Sequence, residues 1–177
     1  MNTISCSKVF LVLLVSLFPT QILAQNAILA VCDEVTFKEL CKDTLQSDPT
    51  SNSATSFEDV AAIILKNTTS TATQISDQYT NLLNQGVYRS TRGVEKAMVN
   101  CIKYYKDAIG KLADTSKALQ SRNNIGVKTG LLAAKNANFF CEGDFSKFTG
   151  SDRYPGDNQG ITFTMLCRIV YQLTITD

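Results

Sequence analysis

The sequence predicts an all-α protein, an antiparallel bundle of four long helices. Three observations lead to this fold class. Hydrophobic residues make up 44% of the 177 residues, an ordinary content for a globular core. Apolar side chains recur every three or four positions over stretches longer than an average helix. Short connections join most of these stretches, so each narrow apolar stripe is buried only by packing against its neighbours.

Residues 1–24 have the layout of a secretory signal peptide. Lys8 precedes the apolar run Val9–Phe18, which is too short to span a bilayer, and the segment ends at Ala24. We expect cleavage after Ala24, with a weaker alternative after Ala30. The mature chain then carries 16 basic and 16 acidic side chains and five cysteines. It is expected to be a soluble, secreted protein, with no other segment that resembles a membrane span.

Residues 25–177 are predicted to form one domain, divided into a hairpin over 25–50 and a bundle over 53–177. Two short amphipathic pieces surround Cys32 and Cys41 in the hairpin region. The segment Ser47-Asp48-Pro49 follows them and is typical of a turn. The segment that precedes the bundle is therefore expected to be a short helical hairpin.

The first bundle helix is predicted to begin at Thr55, which has capping-box spacing with Glu58. Gly86 is expected to end this helix. Its stripe is thin in the middle, where threonines are frequent. Steps of three and four residues give the predicted stripe: Phe57, Ala61, Ile64, Thr68, Thr71, Ile75, Gln78 and Leu82.

The second and third bundle helices have more regular stripes. In the second, the predicted buried positions are Val94, Met98, Cys101, Tyr105, Ala108, Leu112, Thr115 and Leu119. In the third, they are Val127, Leu131, Ala134, Asn138 and Cys141. Both sets follow a seven-residue repeat, as expected where helices pack side by side.

The fourth bundle helix lies near the C-terminus, although its threonines give it some strand character. Its predicted apolar positions are Ile161, Met165, Leu166, Ile169, Val170 and Leu173. The segment Gly143–Gly160 precedes it and contains four of the nine glycines and Pro155, so we expect one long loop there. The aromatic residues of this segment, Phe145, Phe148 and Tyr154, are expected to pack the loop onto the end of the bundle.

The composition excludes several function classes. The chain contains no histidine, which removes His-dependent triads, His general bases and His metal ligands. No Cys-x-x-Cys pair is present, so neither a zinc site nor any cofactor is predicted. The formal net charge of +1 gives no nucleic-acid footprint. We therefore predict a protein that is not an enzyme and has no catalytic residues.

The five mature cysteines allow fifteen arrangements with two bridges and one free thiol. Cys32 and Cys41 are nine residues apart, which suits a bridge that closes a hairpin. Cys101 and Cys141 lie on the stripes of two helices, where a bridge would join them. Cys167 is then the odd thiol, interpreted as a small buried side chain of the last helix.

Several ordered motifs of the mature chain resemble the plant invertase and pectin methylesterase inhibitor family. They are Cys32 to Cys41 with Leu45-x-Ser47-Asp48-Pro49, Cys101-x-x-x-Tyr105-x-Asp107-Ala108, Cys141-Glu142-x-x-Phe145, and a lone cysteine in the last helix. The resemblance spans essentially the whole mature chain. It implies a four-helix bundle preceded by a helical hairpin, with bridges Cys32–Cys41 and Cys101–Cys141 and with Cys167 free.

The resemblance also implies that the protein binds and blocks a secreted plant carbohydrate-active enzyme. Some invertase inhibitors of this family carry Pro-Lys-Phe before the third bundle helix, where this chain has Asn124-Ile125-Gly126. This difference favours a pectin methylesterase as the target, and an acid invertase of the cell wall or vacuole is the alternative. The expected location is the plant apoplast, and the free protein is expected to be monomeric. A more distant alternative is a secreted helical carrier of a small apolar ligand.

Two rows of lysines are the candidate partner-binding residues. Lys96, Lys103 and Lys117 share the exposed side of the second bundle helix at spacings of seven and fourteen residues. Lys128 and Lys135 form a row on the third helix. Such charges suit the acidic cleft of a partner or the carboxylates of pectin, and the resemblance points to the same two helices.

Two further features are interpreted without catalysis. The segment Asn67-Thr68-Thr69 is an acceptor sequence for N-glycosylation, although it lies inside a predicted helix. The acidic pairs Asp33-Glu34 and Glu58-Asp59 lie near helix starts, where acids favour the positive end of the helix dipole. We therefore do not interpret them as catalytic carboxylates.

Overall fold

The structure is a computed structural model that describes residues 30–86, 92–149 and 154–175. The proposed leader, residues 1–24, lies outside the described residues. In the described part of the hairpin region, a 3-10 turn at Val31–Glu34 leads into the short helix α1, Lys38–Ser47. A second 3-10 turn, Pro49–Ser53, connects α1 to the bundle.

Four long helices form the bundle, which confirms the predicted all-α fold. They are α2 (Phe57–Gln85), α3 (Arg92–Gln120), α4 (Asn124–Thr149) and α5 (Asp157–Leu173). Around the bundle α2 packs against α3, α3 against α4, α4 against α5, and α5 returns to α2. The contact between α3 and α4 is the most extensive and that between α4 and α5 the least extensive of the four. The helix α1 packs mainly against α2.

The start of α2 corrects the predicted cap by one residue. Ser56, and not Thr55, is the N-cap: its hydroxyl accepts a hydrogen bond from the Asp59 backbone N–H at 3.1 Å. The Asp59 carboxylate accepts in return from the backbone N–H groups of Ser56 and Thr55, at 3.1 and 2.8 Å. Ser56 and Asp59 are also three residues apart, and this second capping box closes where Thr55 with Glu58 does not.

The buried side of α2 also drifts away from the predicted stripe. Thr71, Gln78 and Leu82 are only half-buried, whereas Ala72 and Tyr79 are buried. The cause is the helical period of 3.6 residues, which moves a strict seven-residue repeat around a long helix. Gly86 ends α2 as predicted, with the positive φ of 67° that glycine adopts without strain.

All predicted stripe residues of α3 and α4 are buried, and the register continues further than expected. Phe145 lies one turn after Cys141, is fully buried and stacks on Tyr154 with ring centroids 4.6 Å apart. The prediction of a long loop over Gly143–Gly160 is therefore wrong, because α4 runs to Thr149 and α5 begins at Asp157. Packing of Phe145 outweighs the small cost of Gly143 inside a helix.

The last helix differs from its predicted stripe at one end. Ile161 is 42% exposed and Met165 is half-buried, whereas Phe163 is buried. The threonines do not produce a strand. The Thr164 hydroxyl donates to the carbonyl of Gly160 at 3.0 Å, a bond that helical threonines commonly make.

Candidate partner-binding surface

The α3–α4 pair is held together at its centre by covalent and polar links. The Cys101–Cys141 disulfide joins the two helices with Cα atoms 4.8 Å apart. Next to it, the buried Tyr105 hydroxyl donates to Asn138 Oδ1 at 3.1 Å. The second predicted bridge, Cys32–Cys41, is also present, and Cys167 is a buried free thiol. The α3–α4 pair therefore offers a rigid surface.

Asp144 is the centre of a polar network between α3 and α4. Its carboxylate accepts hydrogen bonds from Lys147 at 2.6 Å, Asn100 at 2.8 Å and the Tyr104 hydroxyl at 3.2 Å. The bond from Lys147 is the main effect that lowers the pKa of Asp144; partial burial opposes it, and Asn100 and Tyr104 lower the pKa further. The network fixes the orientation of the Tyr104 ring.

Three aromatic side chains form a patch beside this network, in which Tyr104 is half-buried and the other two are exposed; we call it the aromatic patch: Tyr104, Phe139 and Phe140. Phe139 is 70% exposed and Phe140 is 49% exposed. The Phe140 ring lies 5.6 Å from the Tyr104 ring and 5.8 Å from the Phe139 ring. Exposed large apolar side chains that cluster in this way are typical of a protein interaction site.

The predicted lysines follow the helices from end to end and do not form one cluster. Lys96, Lys103, Lys117 and Lys135 are exposed, and Lys128 is half-buried. Lys103 lies two residues after Cys101 on α3, and Phe139 lies two residues before Cys141 on α4, so the disulfide places both at one level of the bundle. Lys117 is about 21 Å further along α3 and pairs with Asp114 at 3.2 Å.

One predicted lysine borders the polar network of Asp144. Lys96 lines a shallow cleft together with Asn100, Asp144, Lys147 and Phe148. Phe148 is 49% exposed, but one face of its ring lies against Gly93 at the start of α3, so it packs on the end of the bundle less completely than Phe145 does. Lys135 lies on the other side of α4, where it faces α5.

Sequence reasoning missed the aromatic patch, although a signal for it was present. Ala134, Asn138 and Cys141 define the buried side of α4, and that register leaves Phe139 and Phe140 outside it. Two adjacent phenylalanines off the stripe of an amphipathic helix predict exposed rings. Asp144 was missed because it fell in the segment interpreted as a loop.

The remaining singled-out residues occupy ordinary structural positions. The Asn67 side-chain amide donates to the Ile63 carbonyl at 3.0 Å inside α2, and its glycosylation stays a prediction. Asp33 pairs with Lys42 at 2.8 Å, and Asp59 belongs to the cap of α2. Within the described ranges, no group of His, Cys, Asp and Glu could hold a metal ion. Over the same residues, no helix is long and apolar enough to cross a bilayer.

Comparisons with known proteins agree with this architecture. The chain is similar to a mutant form of a pectin methylesterase inhibitor from Arabidopsis, with a TM-score of 0.68 and 23% identity over 84% of this chain and 95% of that one. A second crystal structure, of a pectin methylesterase inhibitor from Arabidopsis thaliana, gives a TM-score of 0.61 and 22% identity over 85% and 95%. No curated protein sequence matches significantly. The family model described as plant invertase/pectin methylesterase inhibitor matches residues 26–173, and the chain belongs to this family.

Proposed function

We propose that the protein is a secreted inhibitor that binds a pectin methylesterase and covers its substrate cleft with the α3–α4 surface. The family supports an inhibitor that acts on a protein partner. The observation that carries the choice of surface is the aromatic patch, because Phe139 and Phe140 expose large rings on a helix pair fixed by a disulfide. Inhibition then results from occupancy, without chemistry by the inhibitor.

Rigidity makes this surface effective. The Cys101–Cys141 bridge and the Tyr105–Asn138 hydrogen bond hold α3 and α4 in register. The Asp144 network orients Tyr104. A preorganised surface loses little conformational entropy on docking, so more of the contact energy appears as affinity.

The lysine rows add long-range electrostatic attraction to the proposed binding of the enzyme. Lys103 lies at the level of the aromatic patch, and Lys96 borders the Asp144 network beside it. Lys117 and Lys128 lie toward the other end of the helix pair, and Lys135 faces α5. Exposed charges around an apolar centre act mainly on the association rate and on its salt dependence. We propose that they steer the protein toward an acidic cleft.

The aromatic patch is tested with a double variant, Phe139→Ala with Phe140→Ala. Truncating central aromatic residues of an interface should raise the inhibition constant for a purified pectin methylesterase by about thirtyfold or more. Ile175→Ala is the matched control, because Ile175 is 48% exposed and lies beyond the end of α5, where Leu173 and Thr174 line a cleft with Leu119 at the end of α3 far from the patch. Circular dichroism and urea unfolding establish that each variant is folded. Equal inhibition by the double variant and the wild type would refute the proposed surface.

The basic rows are tested by charge reversal at low salt. Lys103→Glu with Lys128→Glu should slow association with the enzyme and flatten the dependence of the rate on ionic strength. Lys38→Glu reverses a lysine charge on α1 and should leave the association rate unchanged. If the double reversal alters neither the association rate nor the inhibition constant, the lysines have no role in binding.

An acid invertase is the second candidate target. The family description names invertase as well, and Ile125, 80% exposed at the start of α4, keeps an apolar side chain where some invertase inhibitors carry their Pro-Lys-Phe stretch. Ile125 offers an apolar contact but no charge. Parallel assays of a purified pectin methylesterase and a purified acid invertase, each with a molar excess of this protein, decide between them. Inhibition of the invertase alone would overturn the proposed target.

The proposed place of action is the plant cell wall. The leader predicted over residues 1–24 supports secretion, and the disulfides Cys32–Cys41 and Cys101–Cys141 suit an oxidising compartment. We expect to recover the mature chain, residues 25–177, from the extracellular fluid of plant tissue. Retention inside the cell with an intact N-terminus would contradict it.

A further inference from the structure

A groove of about 440 Å³ lies between α4 and α5, on the side of α4 away from α3. This volume is within the range of small-molecule sites. Its apolar wall includes Leu131 from α4 and Met165, Tyr171 and Ile175 from the α5 side. Phe37, just before α1, also lines the groove. The groove coincides with the least extensive helix contact of the bundle, which leaves these side chains without a full covering.

Contacts within the protein hold Phe37 in place beside the groove. The Thr36 backbone N–H donates to Gln172 Oε1 at 3.0 Å, and the Gln172 amide donates back to the Thr36 hydroxyl at 2.8 Å. Thr36 and Phe37 also lie within the loop that the Cys32–Cys41 disulfide closes. These links attach the hairpin region to α5 and hold Phe37 next to the groove.

The charged side chains that line the groove in the described chain are both positive. Lys135 stands on its α4 wall and Arg168 on its α5 wall, and both residues are exposed. The residues of the described chain that line it include no Asp or Glu. Two cations above an apolar floor favour a ligand that has an apolar body and a single anionic group, since arginine and lysine bind carboxylates with charge-assisted hydrogen bonds.

We propose that this groove binds a small amphipathic carboxylate, a molecule with one carboxylate and a hydrocarbon tail. The tail lies against Leu131, Met165 and Tyr171, and the carboxylate lies between Lys135 and Arg168. A wholly apolar ligand would leave the two cations without a partner. The site faces α5 rather than α3, so the proposal stands whether or not the protein inhibits a pectin methylesterase.

The experiment uses the mature chain and a fluorescent fatty acid, dansylaminoundecanoic acid, whose emission increases and shifts to shorter wavelength in an apolar site. Dodecanoate should displace the probe, and dodecanol, which has the same tail without the charge, should compete at least about tenfold less well. Lys135→Met with Arg168→Met should weaken dodecanoate binding by about tenfold or more and narrow the difference between acid and alcohol. Lys106→Met removes a charge from the exposed side of α3 and is the control.

A groove-filling variant separates this site from adventitious probe binding. Thr164→Trp places a large side chain in the groove from α5 and should abolish binding of both the probe and dodecanoate, with the fold verified by circular dichroism. The proposal is overturned if the probe does not bind, if dodecanol competes as well as dodecanoate, or if the double methionine variant binds as the wild type does. It is equally overturned if sedimentation shows a dimer that excludes the probe, because a second copy would then cover the groove.

Discussion

Replacing Gly160 by alanine should destabilise the bundle, although the same change in a helix normally stabilises it. Gly160 lies buried on α5 where this helix crosses α4. A Cβ atom there would overlap Asn138 Oδ1 and would lie 3.1 Å from the Tyr105 hydroxyl oxygen. Asn138 Oδ1 is also the acceptor of the Tyr105 hydrogen bond, so the added methyl group affects packing and hydrogen bonding at one point.

The change in the free energy of unfolding combines two destabilising contributions and one stabilising contribution. Overpacking a well-filled core costs about 1–3 kcal/mol. Displacing Asn138 leaves the buried Tyr105 hydroxyl without its partner, which costs about 1–3 kcal/mol more. Alanine returns about 1 kcal/mol through its better helix propensity. The free energy of unfolding of Gly160→Ala should therefore fall by about 1–5 kcal/mol.

Urea unfolding followed by circular dichroism measures this change, and the chain offers a matched control. A Cβ at Gly110 of α3 meets nothing within 4 Å, so Gly110→Ala should raise the free energy of unfolding by up to about 1 kcal/mol. In an Asn138→Ala background the cost of Gly160→Ala should shrink, because the overlapping atom is gone. If Gly160→Ala were as stable as the wild type, the close approach of α4 and α5 would be refuted.

Three further predictions concern stability and reactivity. Removing the Cys101–Cys141 bridge by a double alanine variant should cost about 4 kcal/mol in urea unfolding and removing Cys32–Cys41 about 2.5 kcal/mol, because the first closes the longer loop; the reverse order would contradict this. Hydrogen bonds from the side chain and backbone of Thr50, then from Lys66, hold the pKa of the buried Asp48 carboxyl well below its usual range. Asp48→Asn should therefore destabilise the protein at neutral pH, and the difference should shrink progressively as the pH falls below about 4 toward the lowered pKa of the folded state. Burial raises the pKa of Cys167 to about 12, so in the chain without residues 1–24, which also lacks Cys6, Ellman's reagent should leave the native thiol unmodified at pH 8 and react with one thiol in urea; rapid reaction of the native protein would show that Cys167 is accessible.

The spacing of apolar residues predicts most of the bundle helices. It fails where a hydrogen bond or a packing contact determines where a helix begins or ends. The stripes of α3 and α4 were predictable because each buried residue falls on one seven-residue repeat, ending at Cys141 in α4. The cap of α2 was displaced because Thr55 and Ser56 both have an acidic residue three positions later. The predicted loop over Gly143–Gly160 is wrong because its glycines and Pro155 are typical of a loop, whereas the burial of Phe145 against Tyr154, one turn after Cys141, prolongs α4.

The candidate sites depend on distances between helices, which a sequence pattern does not contain. The aromatic patch could be anticipated in part, since the register of α4 leaves Phe139 off the buried stripe. The groove could not, because it exists only where α4 and α5 separate enough to leave room between Lys135 and Arg168. The position of Phe37 in its lining depends on a hydrogen bond between Thr36 and Gln172, which are 136 positions apart.

The bridge between α3 and α4 also determines what a single proteolytic cut can do. The turn between these helices contains Arg122, whose side chain is 84% exposed and whose backbone has a positive φ of 53°. A trypsin-like protease that cleaved after Arg122 would divide the polypeptide into two fragments, each carrying one cysteine of the Cys101–Cys141 pair. The fragments would stay covalently attached, with the packed helices still side by side. A nicked molecule would therefore migrate as two bands only after reduction and would keep its binding surface in a protease-rich environment.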